Sequence, residues 1–317
     1  MAGDPGAAIR RVVDALETGN ALDVMGSQVS GADLTSFLLE VMQRRTERLS
    51  PTDVLRRARS DRLVESGIVD ARALHRAIAA IIAVIPDAFE FVELSPVAPL
   101  GTHSTVATVH QHKVVSTVRA TEVAADPTNA LAILAALRRQ AGTGADPAAQ
   151  RTTRLGAAQR ILRAQPFGTQ GQQHFSVLAL VTAGRDRGHH EFEADALAEQ
   201  LLALRDAIAA VTDAAVELRL TDLIDGRAAP LIDALRLAFT GRATTTVTVD
   251  PDRESGRGYY RDLCFKVIAQ LETGEIEIGD GGFTTWTAQL LGNRKERLLT
   301  SGLGLDRLVA IGANQPA

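Results

Sequence analysis

The chain has 317 residues, 45% hydrophobic and 23% charged, with a formal net charge of −4; that balance suits a soluble globular chain with a sizeable core and excludes a broadly basic nucleic-acid-binding face. A lone cysteine, Cys264, excludes an internal disulfide and a cysteine-rich zinc site and fits a reducing, cytoplasmic setting. The N-terminus has no apolar signal segment, and the longest apolar run, Ala77–Ile85, falls far short of the ~20 residues that span a bilayer, so no membrane contact is expected.

Residues 1–70 read as short helices, a helical extension ahead of a larger domain over 71–317. Ser50-Pro51-Thr52-Asp53 is a helix start: a serine cap, proline in the first turn and an acid at the third position. The helix it opens, to about Val64, carries Arg56, Arg57, Arg59 and Arg62, a solvated face. A second helix runs from Ala71 to Ile85 and stops at Pro86. Phe89–Ser95 has strand character, and the Thr- and Val-rich Ser104–Arg119 predicts two short strands or a hairpin. Asp126 caps a helix with Pro127 in its first turn, running to about Arg139. Gly142–Ala149 is a polar connection.

Strands are predicted at Ala157–Arg163 and His174–Ala183, joined by the Gly- and Gln-rich loop Pro166–Gln173. Leu197, Leu201, Leu204, Ile208 and Val211 recur at helical spacing within Glu193–Val211. Val216, Leu218 and Leu220 alternate with polar residues, a half-buried strand. A helix from Pro230, a strand at Ala243–Val249, a hairpin across Leu263–Gly279, a short helix near Thr285–Leu291 and a final Gly-rich turn with a helix complete the chain. Hairpins between strands outnumber helical crossovers. The fold class is therefore α+β, an antiparallel β-sheet flanked by helices.

Four segments carry candidate chemistry. Ser301-Gly302-Leu303-Gly304-Leu305-Asp306-Arg307-Leu308 combines two glycines, which permit close backbone approach, with an arginine suited to phosphate. Arg163-Ala164-Gln165 ends a strand before a loop, an arrangement for clamping a nucleotide. Arg257-Gly258-Tyr259-Tyr260 and Gly279-Asp280-Gly281-Gly282, read as a turn, follow. His103, His110 and His112 read as surface histidines, and Cys264 as an inert core thiol. No metal site is expected.

Taken in order, these segments resemble the class II aminoacyl-tRNA synthetase core, nearest to histidyl-tRNA synthetase and the regulatory subunit of ATP phosphoribosyltransferase. The resemblance covers about residues 71–312. It implies that Arg163 contacts the α-phosphate of ATP, that Gln165 lies near the adenine, and that Arg307, with Gly302 and Gly304, binds the γ-phosphate, with Mg²⁺ alongside. Arg257 stands for a catalytic arginine. Asp126, Thr128, Tyr259, Tyr260, Gly281 and Gly282 would line an amino-acid pocket. The segment through Pro96 resembles the family's dimer-forming motif, which implies a homodimer. Two departures matter. Arg257-Gly258-Tyr259-Tyr260 is two residues shorter than the branch's Arg-Gly-Leu-Asp-Tyr-Tyr, and Gly281-Gly282-Phe283-Thr284-Thr285 replaces Gly-Gly-Arg-Tyr-Asp. The chain runs out just after the last motif, so an anticodon-binding domain and ordinary tRNA charging are not expected. Two functions follow: adenylation of an amino acid or similar carboxylate, with transfer to a carrier protein, amine or protein lysine, or a silent paralogue that binds a metabolite and regulates a partner protein.

Overall fold

A computed structural model describes residues 5–141, 152–165, 172–224, 226, 228–242, 244–256 and 258–313. It divides into two units, Met1–Asp61 with Ser116–Thr121, and Arg62–Val115 with Glu122–Ala317.

The first unit is helical: α1 (Pro5–Ala15), the short α2 (Ala21–Asp23) running into a π-helical turn, α3 (Gly31–Thr46) and α4 (Pro51–Ala58). Ser30 caps α3 through the Asp33 amide, and Ser50 with Asp53 forms a complete capping box on α4, two donors satisfied reciprocally. The predicted helix to Val64 ends sooner, at Ala58. Val12, Leu22 and Phe37 stay more than half exposed.

The second unit opens with α5 (Ala71–Val84), the two-residue β1 (Glu90–Phe91), β2 (Val97–Pro99) and β3 (Thr121–Val123). No hairpin forms over Ser104–Arg119; a π-helical turn at Thr102–Val106 and a 3₁₀ turn at Gln111–Lys113 take its place. The cause is the buried Glu122, which accepts from the amides of His103 (2.8 Å) and Gly101 (3.2 Å) and from Gln111 Nε2 (2.8 Å). Burial pushes this carboxyl up, but the three donors outweigh it and hold it below the ordinary carboxylate range.

There follow α6 (Pro127–Ala141), β4 (Thr153–Leu162), β5 (His174–Arg185), α7 (Glu191–Ala209), β6 (Ala215–Asp222), α8 (Ala229–Ala238), β7 (Thr245–Val249), β8 (Arg261–Leu271), β9 (Gly274–Thr284), α9 (Trp286–Leu290), β10 (Glu296–Gly304) and α10 (Leu305–Ala313). The Gly142–Ala149 connection lies outside the described residues. Eight strands form one sheet in the order β1-β4-β5-β10-β9-β8-β6-β7. It is antiparallel from β4 to β6 and parallel only at its edge pairs, β1 with β4 and β6 with β7.

One face is dry. Leu197, Leu201, Leu204 and Ile208 of α7 pack with α5, α8 and α10 onto Leu178, Leu180, Leu218, Phe265 and Leu303. The opposite face is covered at one end by α6 and α9, through Leu131, Ala135 and Trp286 over Leu155, Val181 and Leu298. The rest of that face lies open around β10 and β9, and the candidate site is there.

Two buried polar contacts fix β10. Arg139 of α6 forms a two-pronged ion pair with Glu296 at the strand's start, both side chains under 5% exposed. Removing one partner of such a pair costs about 3–5 kcal/mol. Gln200 of α7 donates to Thr182 Oγ1 (2.8 Å) and accepts from Ser301 Oγ (2.8 Å).

Candidate functional site

Tertiary structure corrects the reading of the last motif. Ser301–Gly304 is not a turn but the end of β10, and the helix begins only at Leu305. Alternation then divides the motif's labour. Ser301 and Leu303 face the dry layer, where they meet Gln200 and the core, while Thr300 and Gly302 face the open side.

A cleft of about 740 Å³ lies over this strand end. Among its lining residues are Asp126, Thr128, Arg163, Tyr259, Tyr260, Gly302, Gly304 and Arg307. These come from six elements and connections spread over most of the second unit, so the fold assembles most of the residues that the motifs single out. Gln165 is not among the lining residues; Gln172, on the far side of the loop, is. Arg257 and Pro166–Gly171 of that loop lie outside the described residues.

Gly281 and Gly282 also do not line the cleft. They sit inside β9, not in a turn. A Cβ at Gly281 would lie 2.4 Å from Phe265 Cζ and 2.5 Å from the Thr300 carbonyl oxygen; one at Gly282 would lie 2.7 Å from the Tyr260 ring and 2.8 Å from Cys264 Cβ. Packing alone demands glycine at both. Gly302 and Gly304 differ. A Cβ there would meet nothing closer than 3.4 Å and 3.6 Å respectively, so packing does not demand glycine at either position.

The cationic groups are held by backbone oxygens. Arg163 donates through Nε to the Ala125 carbonyl (3.0 Å), lies 3.8 Å from Asp126 Oδ2, and stands 5.3 Å from the centre of the Phe175 ring. Arg307 is exposed and donates to the Glu277 carbonyl (2.8 Å). Asp306 beside it accepts from the Ser176 amide (2.7 Å) and from Arg160 (3.3 Å), tying the head of α10 to β4 and β5.

The inner wall is polar and aromatic. Tyr259 stacks edge-on against Tyr260 and Trp286 at centroid distances of 5.0 and 5.1 Å. Asp126 Oδ1 accepts from the Thr128 amide (2.9 Å) and hydroxyl (2.7 Å). Tyr260 donates to Asp280 Oδ2 (3.1 Å), and the buried Arg253 stands 3.6 Å from the same oxygen. Burial pushes the Asp280 carboxyl above its ordinary range, against the pull of Arg253. Burial likewise pushes both tyrosines well above theirs, with nearby carboxylates adding to it.

Sequence reasoning missed Asp280, Arg253, Phe175 and Asn129. Asp280 lies within Gly279–Gly282, where the glycines are the stronger local signal. Phe175 follows the loop in phase with Val177, an alternation that puts both on the open face. Arg253 and Asn129 carry no local signal. His103 is not a surface residue; it is buried behind the cleft.

An antiparallel sheet with helices packed on it and a cleft over paired motif strands is the fold of the class II aminoacyl-tRNA synthetase core. Similar solved structures bear this out. One, from Bacillus halodurans, is described as an ATP phosphoribosyltransferase regulatory subunit/histidyl-tRNA synthetase; it is 13% identical, with a TM-score of 0.60, covering 79% of this chain and 82% of that one. A histidine–tRNA ligase subunit from Alicyclobacillus acidocaldarius is 13% identical at TM-score 0.57, covering 78% of this chain and 95% of that one. The histidyl-tRNA synthetase of S. aureus is 12% identical at TM-score 0.54, covering 76% of this chain and 64% of that one. No family model matches the sequence, and no curated protein matches it. No helix among the described residues is long and apolar enough to cross a membrane.

Proposed function

We propose that this chain activates an amino acid or similar small carboxylate as its adenylate, using ATP. The observation that carries the reading is the pair of arginines, Arg163 and Arg307, lining one cleft whose glycines leave room that the protein does not fill. A nucleotide fits these residues: the flat Phe175 ring for a base, Gly302 and Gly304 for close approach, and two guanidiniums for phosphates. The reaction joins a carboxylate oxygen to the α-phosphorus and releases pyrophosphate. Arg163 would meet the charge that develops there, and Arg307 would hold the distal phosphates; catalysis of this kind is mostly positioning and electrostatics. Mg²⁺ would arrive on the phosphates and neutralise them. Asp126, Thr128, Tyr259 and Tyr260 would bind the carboxylate substrate. The acyl group would pass to a carrier protein, amine or protein lysine and not to a normally read tRNA, and the working form would be a homodimer.

A second reading has its own support. Arg163 and Arg307 each spend a donor on a backbone carbonyl, and Arg163 also faces Asp126 at 3.8 Å, which leaves fewer N–H groups for phosphate. That suits a silent scaffold that binds a metabolite and regulates a partner protein. ATP–pyrophosphate exchange across the amino acids separates the two. Exchange with at least one amino acid, lost in Arg163→Ala, is the expected result. No exchange with any, together with no Arg163-dependent ATP binding, overturns the enzyme reading.

A further inference from the structure

A second cavity, of about 370 Å³, lies beside the start of α7, at the opposite end of β10 from Gly302 and Gly304. Among its lining residues are Asp186, His189, His190, Glu193, Asp262 and Arg297. Three carboxylates therefore stand against one guanidinium, and that guanidinium is already engaged. Arg297 donates through Nε to Glu193 Oε1 (2.9 Å) and through one terminal nitrogen to Asp186 Oδ2 (2.6 Å). Its other terminal nitrogen donates to the carbonyls of Arg294 (2.9 Å) and Glu296 (3.1 Å). Asp186 Oδ1 accepts from the Gly188 amide (2.8 Å). One buried acceptor remains. Glu193 is only 4% exposed, and its Oε2 has no hydrogen-bond partner. Among the described residues it is the one carboxylate oxygen buried in that state, and such an oxygen costs free energy until a donor reaches it.

The backbone is strained at the same place. His189 (φ 48°), His190 (φ 59°) and Asp262 (φ 60°) are three of the six non-glycine residues with positive φ among the described ones, and all three line this cavity. Strain of that kind persists where the surrounding structure imposes it, and it gathers at ligand sites. An adjoining cavity of about 390 Å³ shares His189 and His190 and adds the apolar Ala194, Pro230, Leu231 and Ala234.

We propose that these two cavities form a binding site for a small aliphatic amine in its protonated form. Glu193 Oε2 takes the ammonium head. A single free oxygen suits a compact ammonium better than a guanidinium, whose planar fork uses both oxygens of a carboxylate, and Oε1 already belongs to Arg297. The aliphatic stem lies along the adjoining apolar trough of Pro230, Leu231 and Ala234. The site is separate from the cleft and does not rest on the adenylation reading.

An NMR titration of the full chain, following the backbone amides of Gly188–Glu193, tests this. Pentylammonium is expected to shift them saturably. 1-Pentanol keeps the stem but lacks the charge, and is expected to leave them in place. No saturable shift with pentylammonium, or an equal response to pentanol, overturns the site. Methylammonium should bind more weakly than pentylammonium, by about fourfold for each methylene that the trough buries; equal affinities overturn the placement of the stem. Pentylguanidinium binding as tightly, or Mg²⁺ moving the same amides and displacing pentylammonium, overturns the choice of an ammonium. Glu193→Gln keeps an oxygen for Arg297 and puts a neutral donor in place of Oε2. It should weaken pentylammonium at least about tenfold, and an unchanged affinity overturns the proposal. If Glu193→Gln fails to fold, Asp262→Asn takes its place, because asparagine tolerates the same positive φ. Loss of that charge should weaken pentylammonium about threefold, and no weakening overturns the proposal.

Discussion

One face of the sheet carries two polar regions that behave in opposite ways. Around β6 and β8 the charges saturate one another. Arg219 reaches both Glu217 (2.9 and 2.8 Å) and Glu275, and Glu217 also accepts from Thr248 (2.7 Å) and Gln270 (2.9 Å). Nothing there is left over for a ligand. Around β10 the sheet is stripped to glycine, and Arg307 is exposed. The glycines of β9 mark the border. They look like part of the site in one dimension and are consumed by packing in three. Residue type does not separate the two regions; what the protein leaves unfilled does.

The largest expected effect tests that border. Gly281→Ala drives a Cβ against a backbone oxygen that cannot step aside, so it should cost at least about 3 kcal/mol and show as a collapsed Tm or insoluble protein. Gly302→Ala is its counterpart. Its Cβ meets only ordinary contacts, so the Tm should stay within a few degrees while ATP affinity falls; equal destabilisation by the two would erase the distinction between packing and binding glycines.

Next comes charge. Arg163→Ala removes a charge-assisted phosphate contact worth roughly 1.5–3 kcal/mol, so ATP should bind about 10–100-fold more weakly by calorimetry. Unchanged binding would move the nucleotide out of this cleft.

The smallest effect contrasts the regions by pH. Hydrogen bonds from Arg219, then Thr248, hold Glu217 down at about 2. Its contribution to stability is therefore present above the ordinary carboxylate range and lost as pH falls toward 2. Glu217→Gln should lag wild type at neutral pH and converge with it in acid. Asp280 is shifted the other way. Its contribution is present in acid and lost as pH rises through its raised value, so Asp280→Asn should gain on wild type as pH rises. Denaturant titrations at several pH values check both slopes, and slopes of the same sign would refute the contrast.

Much was legible in one dimension because it is written within a few residues. The Leu197–Ile208 stripe predicts α7. Pro86 ends α5 a residue or two past its last turn. Asp126 with Pro127 opens α6. Ordered motifs then marked Arg163 and Arg307, which line the same cleft although 144 residues apart in the numbering. The misreadings share one cause. Gly-rich segments at 279–282 and 301–304 suggest turns locally, but each is a strand held by cross-strand partners. Glu122 bends Ser104–Arg119 into helical turns through contacts 11 to 21 residues away.

The sequence by itself determined most of the helices and the α+β class, because period and caps are local, and its motif order marked two arginines that line one cleft. Only the tertiary structure decided which glycines packing demands, that Asp280 and Arg253 meet beneath Tyr260, and that His103 and Asn129 stand behind Tyr259. Those facts depend on strand register and on what packs across it, and no stretch of residues encodes its own neighbours.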